Sequence, residues 1–248
     1  MRLAGKTAMV TGGASGFGAG IVRKFVEEGA KVIIADIDLD QAQALATQLG
    51  DSAISAHLDV SDGKAVKQVI QNAQTIWGDL DILVNNAGTA QSPQPLNAVS
   101  EGAFDKIAAV NMKSIFWTTK AILPVFESQK AGVILNMAST AGVSPRPGLT
   151  WYNASKGWVI TATRSMAVEL ASKNIRVNAI NPVAGETPML QTFMGEDTPE
   201  IRAKFLSSIP LGRFSTPQDM GHAACYLCSD EASMVTGVCL EVDGGRCI

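Results

Sequence analysis

The chain has 248 residues, of which 46% are hydrophobic and 17% are charged. That length and composition fit one large α/β domain with a substantial core. The formal net charge of −3 favours neither a nucleic-acid partner nor an anionic membrane surface. No apolar run approaches the roughly 20 residues that span a bilayer, and the N-terminus lacks the long apolar core of a signal peptide. We therefore expect a cytoplasmic protein that binds neither nucleic acid nor membrane.

The first predicted elements are an apolar strand at 7–10, a glycine-rich turn at 11–18 and a helix that ends near Gly29. Strand, glycine turn and helix together are typical of the start of a dinucleotide-binding unit. The glycines permit a tight turn and let backbone N–H groups approach a pyrophosphate at the helix N-terminus. Glycine-rich turns are common, so the flanking strand and helix carry this interpretation.

The second predicted strand, 31–36, ends in Asp36, about twenty residues after the glycine turn. A carboxylate at that point can accept hydrogen bonds from the ribose hydroxyls of an adenosine, and it would repel a 2′-phosphate. The alternative is a solvated acid at a strand end. With the glycine turn present, we predict ribose binding.

The remaining chain alternates strands and helices without a break in composition. Further strands are predicted at 53–60, 81–88, 132–139, 175–181 and 238–242, and helices at 38–49, 62–77, 101–128, 151–172 and 216–229. Pro124 should end or bend the helix in which it lies. The longest irregular stretch runs from Val183 to about Pro199, as expected of a binding loop or lid. This alternation predicts one α/β domain with a parallel sheet.

Three side chains are candidates for acid/base chemistry. Tyr152 and Lys156 are four residues apart, so they lie on one face of their helix. The ammonium favours phenolate, and we expect it to pull the Tyr152 pKa below its free value of about 10. Ser139 ends a buried strand, where an open α/β sheet places its chemistry. A Tyr–Lys pair alone would more often be a solvated helix face, so the interpretation depends on the rest of the chain.

The four cysteines lie late in the sequence, and Cys225 and Cys228 form a CxxC. The pair sits in an amphipathic helical pattern without a second pair of ligands. We interpret both as buried free thiols, which pack as small hydrophobes. His57 and His222 have no partners at metal-ligand spacing, so we assign no metal site.

Taken together, the motifs resemble those of the short-chain dehydrogenase/reductase family in its compact single-domain form. The resemblance covers nearly the whole chain, and its anchors are Thr11-Gly-x-x-x-Gly16-x-Gly18, Asp59, Asn85-Asn-Ala-Gly88, Asn111, Ser139, Tyr152-x-x-x-Lys156, Asn181-Pro182 and Val242-Asp-Gly-Gly245. It implies a doubly wound, Rossmann-type three-layer sandwich with seven parallel strands in the order 3-2-1-4-5-6-7. It also implies a single domain over 1–248 with a substrate lid at about 183–210.

The resemblance gives each catalytic position a role. Tyr152 would be the general acid/base, Ser139 would hold and polarise the carbonyl oxygen, and Lys156 would bind the nicotinamide ribose. Asn111 would anchor a water that links Lys156 to solvent. The implied cofactor contacts are Gly12, Ser15, Gly16, Phe17, Gly18, Asp36, Ile37, Asp59, Val60, Asn86, Ala87, Gly88, Tyr152, Lys156, Pro182, Val183 and Thr187.

Two positions depart from the family pattern. Val183 follows Asn181-Pro182 where the family usually has Gly, so the loop over the nicotinamide can run differently and the role of Thr187 is less certain. Phe17 replaces an aliphatic residue of the glycine turn. Positions 15 and 37, where relatives that use NADP often carry a base, hold Ser and Ile. Together with Asp36 they predict NAD as the cofactor.

The resemblance implies an NAD(H)-dependent oxidoreductase that interconverts a secondary alcohol and a ketone. Alternatives within the family are a 3-oxoacyl thioester reductase and a sugar dehydrogenase. Epimerases or dehydratases of the extended relatives, and non-catalytic dinucleotide sensors, are further alternatives. Apolar stretches at 140–149 and 183–190, with Phe193 and Met194, should line the substrate pocket and favour a neutral substrate. Arg146 is the one residue in these stretches that is a candidate to bind a carboxylate.

The helices predicted at 101–128 and 151–172 are apolar around most of their circumference. Such helices should be buried on more than one side, although in a doubly wound domain they lie on an outer layer. The resemblance points to paired helices at one two-fold axis and the last strand at another. We therefore expect a homotetramer; the alternative is a monomer whose loops cover these faces.

Overall fold

The computed structural model describes residues Met1–Ile248 and contains a seven-stranded parallel sheet in the order β3-β2-β1-β4-β5-β6-β7. The predicted strand order is thereby confirmed. The strands are β1 Thr7–Thr11, β2 Lys31–Asp36, β3 Ala53–His57, β4 Ile82–Asn85, β5 Gly132–Met137, β6 Ile175–Pro182 and β7 Cys239–Val242. The central strand β1 is buried throughout, as expected of a parallel sheet covered on both faces.

Nine α-helices surround the sheet. They are α1 Gly16–Glu27, α2 Leu39–Leu49, α3 Gly63–Trp77, α4 Glu101–Ile107, α5 Ser114–Gln129, α6 Thr150–Leu170, α7 Met189–Met194, α8 Pro199–Leu206 and α9 Pro217–Cys228. Successive strand residues point to opposite faces, so Val10 and Val32 pack with α1, α2 and α9. Met9 and Ile33 pack with α3, α5 and α6. The two helix layers and the sheet form the three-layer sandwich. No helix is both long enough and apolar enough to cross a membrane.

Several strands end before the predicted boundaries. β3, β4 and β5 stop at His57, Asn85 and Met137, because the residues that follow leave the ladder and turn across the edge of the sheet. Asp59, Asn86 and Ser139 therefore lie in loops just beyond the carboxyl ends of the strands, where doubly wound sheets bind their ligands.

The helix predicted at 101–128 is divided. α4 and α5 are separated by a π-helical segment, Ala108–Lys113, which is rare in α-helices and often found at functional sites. α5 continues through Pro124 to Gln129, so of the two expected effects of Pro124, ending or bending the helix, the first does not occur. The stretch predicted to be irregular, from Val183 to about Pro199, also contains the short helix α7.

The first and last long helices, α1 and α9, cross with their backbones in close contact. A Cβ added at Gly20 would lie 2.1 Å from the carbonyl oxygen of Pro217, and one at Gly221 would lie 2.7 Å from that of Gly20. Only glycine permits this approach, which brings Met220 and Ala224 into the core shared with α1.

We expect Gly20→Ala to destabilise the fold by at least about 2 kcal/mol, because the backbone atoms it would meet can yield only if a helix shifts. For a chain of this length that lowers the midpoint of thermal unfolding by several degrees. Gly102→Ala is the matched control: it makes the same change in α4, where a Cβ meets nothing within 4 Å, and should be neutral or stabilising by about 0.5–1 kcal/mol. Equal melting temperatures for the two variants would contradict the close crossing.

Candidate active site

One cavity of about 440 Å³ lies along the carboxyl ends of the strands. It is lined by seventeen of the predicted site residues: Gly12, Ser15, Gly16, Phe17, Asp36, Ile37, Asp59, Val60, Asn86, Ala87, Gly88, Ser139, Tyr152, Lys156, Pro182, Val183 and Thr187. Two predicted site residues, Gly18 and Asn111, lie outside the lining. Lys106 and Val110, which the sequence analysis did not single out, are part of it.

The glycine turn is built for close contact. A Cβ at Gly18 would lie 2.0 Å from the carbonyl oxygen of Gly12, so Gly18 allows the turn to close rather than lining the cavity. The side-chain amide of Asn86 donates to the carbonyls of Thr11 and Gly12 at 3.0 and 2.7 Å. Ser15 precedes α1 without capping it through its side chain, so N–H groups of the first turn remain available to an anion.

The carboxylate of Asp36 is oriented by two backbone donors. One oxygen accepts from the N–H of Ala14 at 2.9 Å, and the other accepts from the N–H of Asp38 at 3.0 Å. No cation neutralises it. This end of the cavity therefore offers backbone donors for a diphosphate and an acceptor for hydroxyl groups.

At the opposite end, Ser139 and Tyr152 are both buried. The Ser139 hydroxyl lies near enough to favour the Tyr152 phenolate, but burial outweighs it and raises the pKa of Tyr152 to about 12. Lys156 donates from Nζ to the carbonyl oxygen of Met137 at 2.7 Å, with Nζ 5.8 Å from the Tyr152 ring centroid. Burial lowers the pKa of Lys156 to about 8. The expectation that Lys156 pulls the Tyr152 pKa below 10 is wrong for the chain alone, because desolvation is the larger effect.

Asn111 lies in the π-helical segment and is buried. Its Oδ1 accepts from the N–H of Thr89 at 2.8 Å, and its Nδ2 donates to the carbonyl of Thr89 and to the Ser155 hydroxyl at 2.9 and 3.0 Å. The side chain thus joins the loop after β4 to α6. This contact positions the helix that carries Tyr152 and Lys156.

A second buried polar chain, which the sequence analysis missed, also holds α6. Thr118 donates to Asn85, Asn85 donates to Asn136, and Asn136 donates to Thr163, at 2.8–2.9 Å. Buried polar side chains need such partners. Two asparagines within otherwise apolar strands were the signal that could have revealed this network.

The two departures from the family pattern lie near the same loop. A Cβ at Gly185 would lie 2.4 Å from the Phe17 ring, so the aromatic side chain fits because Gly185 has none. The carbonyl oxygen of Val183 accepts from the Ser215 hydroxyl at 3.2 Å. Pro182, Val183 and Thr187 all remain in the cavity lining.

The chain has only two tyrosines, so the raised Tyr152 pKa can be measured directly. In a Tyr226→Phe variant, we expect tyrosinate absorbance near pH 12 in the native state but near pH 10 in denaturant. Between pH 10 and pH 12 the native protein keeps the Tyr152 proton, whereas the unfolded chain loses it. The contribution of Tyr152 to the free energy of unfolding therefore falls as the pH rises from about 10 to about 12. Native and denatured titrations with the same midpoint would contradict the assignment.

The cysteines and histidines form no separate centre. Cys225, Cys228 and Cys239 are buried free thiols and Cys247 is a partly buried one, and burial raises the pKa of Cys228. No three His, Cys, Asp or Glu side chains converge as metal ligands.

Comparisons with known proteins give relatives over the full length. A protein family described as Enoyl-(Acyl carrier protein) reductase matches residues 12–246. The 4-formylbenzenesulfonate dehydrogenase TsaC1/TsaC2 of Comamonas testosteroni is 49% identical, with 99% of each chain covered. The 3-oxoacyl-[acyl-carrier-protein] reductase FabG of Thermotoga maritima is 39% identical, with 100% of each covered. The crystal structure of a 3-ketoacyl-(acyl-carrier-protein) reductase from Brucella melitensis complexed with NADH superposes with a TM-score of 0.94 at 46% identity, covering 99% of this chain and 100% of that one.

Proposed function

Because the chain belongs to the short-chain dehydrogenase/reductase family, we propose that it is an NAD(H)-dependent oxidoreductase interconverting a secondary alcohol and a ketone. The observation that carries the proposal is the shared cavity. Its lining holds Ser139, Tyr152 and Lys156 at one end and the glycine turn with Asp36 at the other. The Brucella relative was crystallised with NADH, which supports a nicotinamide dinucleotide here.

The residues present fit such a cofactor. The glycine turn lacks side chains where a pyrophosphate would approach, the first turn of α1 has free N–H groups, and Asp36 is a preoriented acceptor. Asn86, Ala87 and Gly88 line the cavity between the two ends. Lys156 lies beside Tyr152 and would bind the nicotinamide ribose.

A bound nicotinamide supplies the hydride in reduction and accepts it in oxidation. In the reductive direction, Tyr152 donates its proton to the carbonyl oxygen while Ser139 donates a hydrogen bond to the same oxygen. Two donors aimed at the oxygen stabilise the negative charge that develops there. In the oxidative direction, Tyr152 accepts the alcohol proton, which requires a pKa closer to the working pH than about 12. We propose that the positive charge of the oxidised cofactor would lower it.

The role of Asn111 is to hold the loop after β4 against α6. In the proposed proton relay, a water beside Asn111 would connect Lys156 to solvent. The hydrogen bonds of Asn111 to Thr89 and Ser155 support its place in that assembly, because they fix the helix on which Lys156 lies.

The names of the relatives do not identify the substrate of this protein. One is named for an aldehyde with a sulfonate group, and another for a 3-oxoacyl carrier-protein thioester. A 3-oxoacyl thioester reductase and a sugar dehydrogenase remain alternatives, because the same residues would serve both reactions.

The experiment that tests the proposal is oxidation of a panel of secondary alcohols with NAD⁺, followed by NADH absorbance. Turnover that depends on Tyr152 supports an enzyme. A non-catalytic dinucleotide sensor would bind NADH without turning over any alcohol or ketone. Binding of NADH without turnover of any member of the panel would therefore support the sensor and contradict the enzyme.

We also propose a cytoplasmic location. The four cysteines are all free, which suits a reducing compartment, and the proposed reaction draws on an NAD(H) pool.

We propose that the chain forms a homotetramer, as its outer helices are incompletely covered. Phe116 on α5 is 50% exposed, and Trp158 and Val168 on α6 are 37% and 82% exposed. Other apolar residues of these two helices, Ile115, Ile122, Ile160 and Ala167, are buried within the domain. Large apolar side chains therefore remain exposed on both helices, and large apolar patches are rare on monomers.

Light scattering in dilute solution should therefore give a mass near four chains of 26.0 kDa. A double variant in which Phe116 and Val168 are both replaced by Asp should have a lower mass in solution, because a buried unpaired carboxylate is costly at an interface. A control with Ile76→Asp, at a position 58% exposed on α3, should not. A wild-type mass near 26.0 kDa would reject oligomerisation.

A further inference from the structure

One arginine lines the substrate end of the cavity and a second lies behind it. Arg146 lies in the loop after β5 and lines the cavity, and Arg246 lies in the C-terminal tail after β7. Arg246 donates from Nη1 to the hydroxyl of Ser144 at 3.1 Å, which brings the tail onto the loop that carries Arg146. Both side chains are partly buried. The structure thus places one permanent positive charge in the cavity lining and a second close to it.

Neither guanidinium has a carboxylate partner. Three of the other six arginines form ion pairs, Arg2–Glu231, Arg202–Asp197 and Arg213–Asp219, whereas no carboxylate oxygen lies within 4.0 Å of Arg146 or Arg246. The nearest acid in the tail, Asp243, accepts instead from the backbone N–H groups of Gly245 and Cys247 at 2.9 and 2.8 Å.

The donors of both side chains are largely unused. The guanidinium of Arg146 stacks on the Phe205 ring of α8, 4.6 Å from the centroid, and donates to no protein acceptor. The Nε of Arg246 is buried without a partner. Burial lowers the pKa of Arg146, and the neighbouring charge of Arg246 lowers it further. Two partly desolvated like charges with free donors are unfavourable unless an anion joins them.

The charged side chains near Ser139 and Tyr152 in the cavity lining are all positive. The only acids lining the cavity are Asp36 and Asp59 at the cofactor end, and Lys106 adds a further cation to the lining. The lining also contains the apolar side chains of Leu149 and Phe193, and the centroid of the Phe193 ring lies 5.2 Å from that of Tyr152. A substrate that fits this arrangement has an apolar body and a negative group at one end.

We propose that Arg146, reinforced by the neighbouring charge of Arg246, binds an oxyanion, a carboxylate or a sulfonate, on the substrate remote from the carbon that is oxidised or reduced. This inference rests on the proposed function and specifies its substrate class as an anionic hydroxy or oxo compound. It replaces the neutral substrate that the apolar pocket sequences favoured. The guanidinium presents parallel N–H donors that match the two oxygens of such a group.

The test compares substrates that differ only in charge. Suitable probes are 4-(1-hydroxyethyl)benzoate, 4-(1-hydroxyethyl)benzenesulfonate and 4-(1-hydroxyethyl)benzamide, with 3-hydroxybutyrate and 3-hydroxybutyramide as a second skeleton. We expect kcat/KM to be about 10- to 100-fold higher for an anion than for its amide, the range of a hydrogen bond to a charged group. The ratio of kcat/KM for the carboxylate to kcat/KM for the sulfonate then identifies which oxyanion the site prefers.

Arg146→Met should abolish that preference by raising KM for the anions by far more than for the amides. Arg146→Lys should restore part of it, because the charge remains but the paired donors do not. Arg23→Met, which removes an exposed arginine of α1, is the matched control, and melting temperatures verify folding of every variant. An anion-to-amide ratio near one in the wild type, or a ratio unchanged by Arg146→Met, would overturn the proposal.

Failure of the proposed reaction would look different. If none of the alcohols is oxidised, calorimetric binding of 4-acetylbenzoate and 4-acetylbenzamide to wild type and Arg146→Met still decides the arginine site. Tighter binding of the anion that is lost in the variant supports the site; equal binding of anion and amide overturns it.

Discussion

Replacing Tyr152 with Phe is expected to lower kcat by about 10² to 10⁴, the usual effect of removing a general acid/base. The ring stays in place, with its buried contacts to Ala141 and Leu149, so the fold and NADH binding should persist. Only the hydroxyl, which would exchange a proton with the substrate oxygen, is lost. Steady-state kinetics and NADH fluorescence titration measure the two properties separately.

Tyr226→Phe is the matched control, since it removes the chain's other phenol at a position on α9 that does not line the cavity. It should retain wild-type turnover. A Tyr152→Phe protein with half of the wild-type kcat would refute the assignment, and one that no longer binds NADH would show that the phenol also anchors the cofactor.

We expect kcat/KM with NAD⁺ to exceed that with NADP⁺ by about two to three decades, equivalent to a few kcal/mol. Asp36 cannot swing away from a 2′-phosphate easily, because Ala14 and Asp38 donate to its two oxygens. Ser15 and Ile37 line the cavity beside it and neither carries a charge. A 2′-phosphate would therefore lie near a fixed negative charge without a compensating arginine.

Asp36→Ser should reduce this preference, mainly by lowering the KM for NADP⁺. Asp40→Asn is the control, because it removes a carboxylate of the same charge from an exposed position in the first turn of α2. Equal kcat/KM values for the two cofactors in the wild type would sink the idea that Asp36 selects NAD.

Local patterns were enough to predict the alternation of strands and helices. Apolar runs such as 31–36, glycines such as Gly29 and the four-residue spacing of Tyr152 and Lys156 each act over a few residues. The strand order required the family resemblance, because the pairing of β1 with β4 joins residues about 75 positions apart, and no local pattern encodes it.

What the sequence could not predict depends on tertiary surroundings. The direction of the Tyr152 pKa is set by how completely the hydroxyl is buried, which four-residue spacing does not reveal. The π-helical turn at Asn111 belongs to a class so rare that an apolar periodicity over 101–128 favours an ordinary α-helix. The pairing of Arg146 with Arg246 depends on where the C-terminal tail lies, about 100 residues away in the chain.

The crossing of α1 and α9 has a consequence for synthesis on the ribosome. Gly20 and Pro217, whose backbones are in close contact, are about 200 residues apart in the chain. During synthesis, α1 therefore cannot pack against α9 until almost the whole chain has left the ribosome. Until then the nascent chain exposes apolar side chains such as Phe25 and Val22, which end fully buried. Domains dominated by such distant contacts fold slowly and expose surfaces prone to aggregation. We therefore expect chains truncated before residue 217 to be insoluble, and the intact protein to complete its fold only after release from the ribosome.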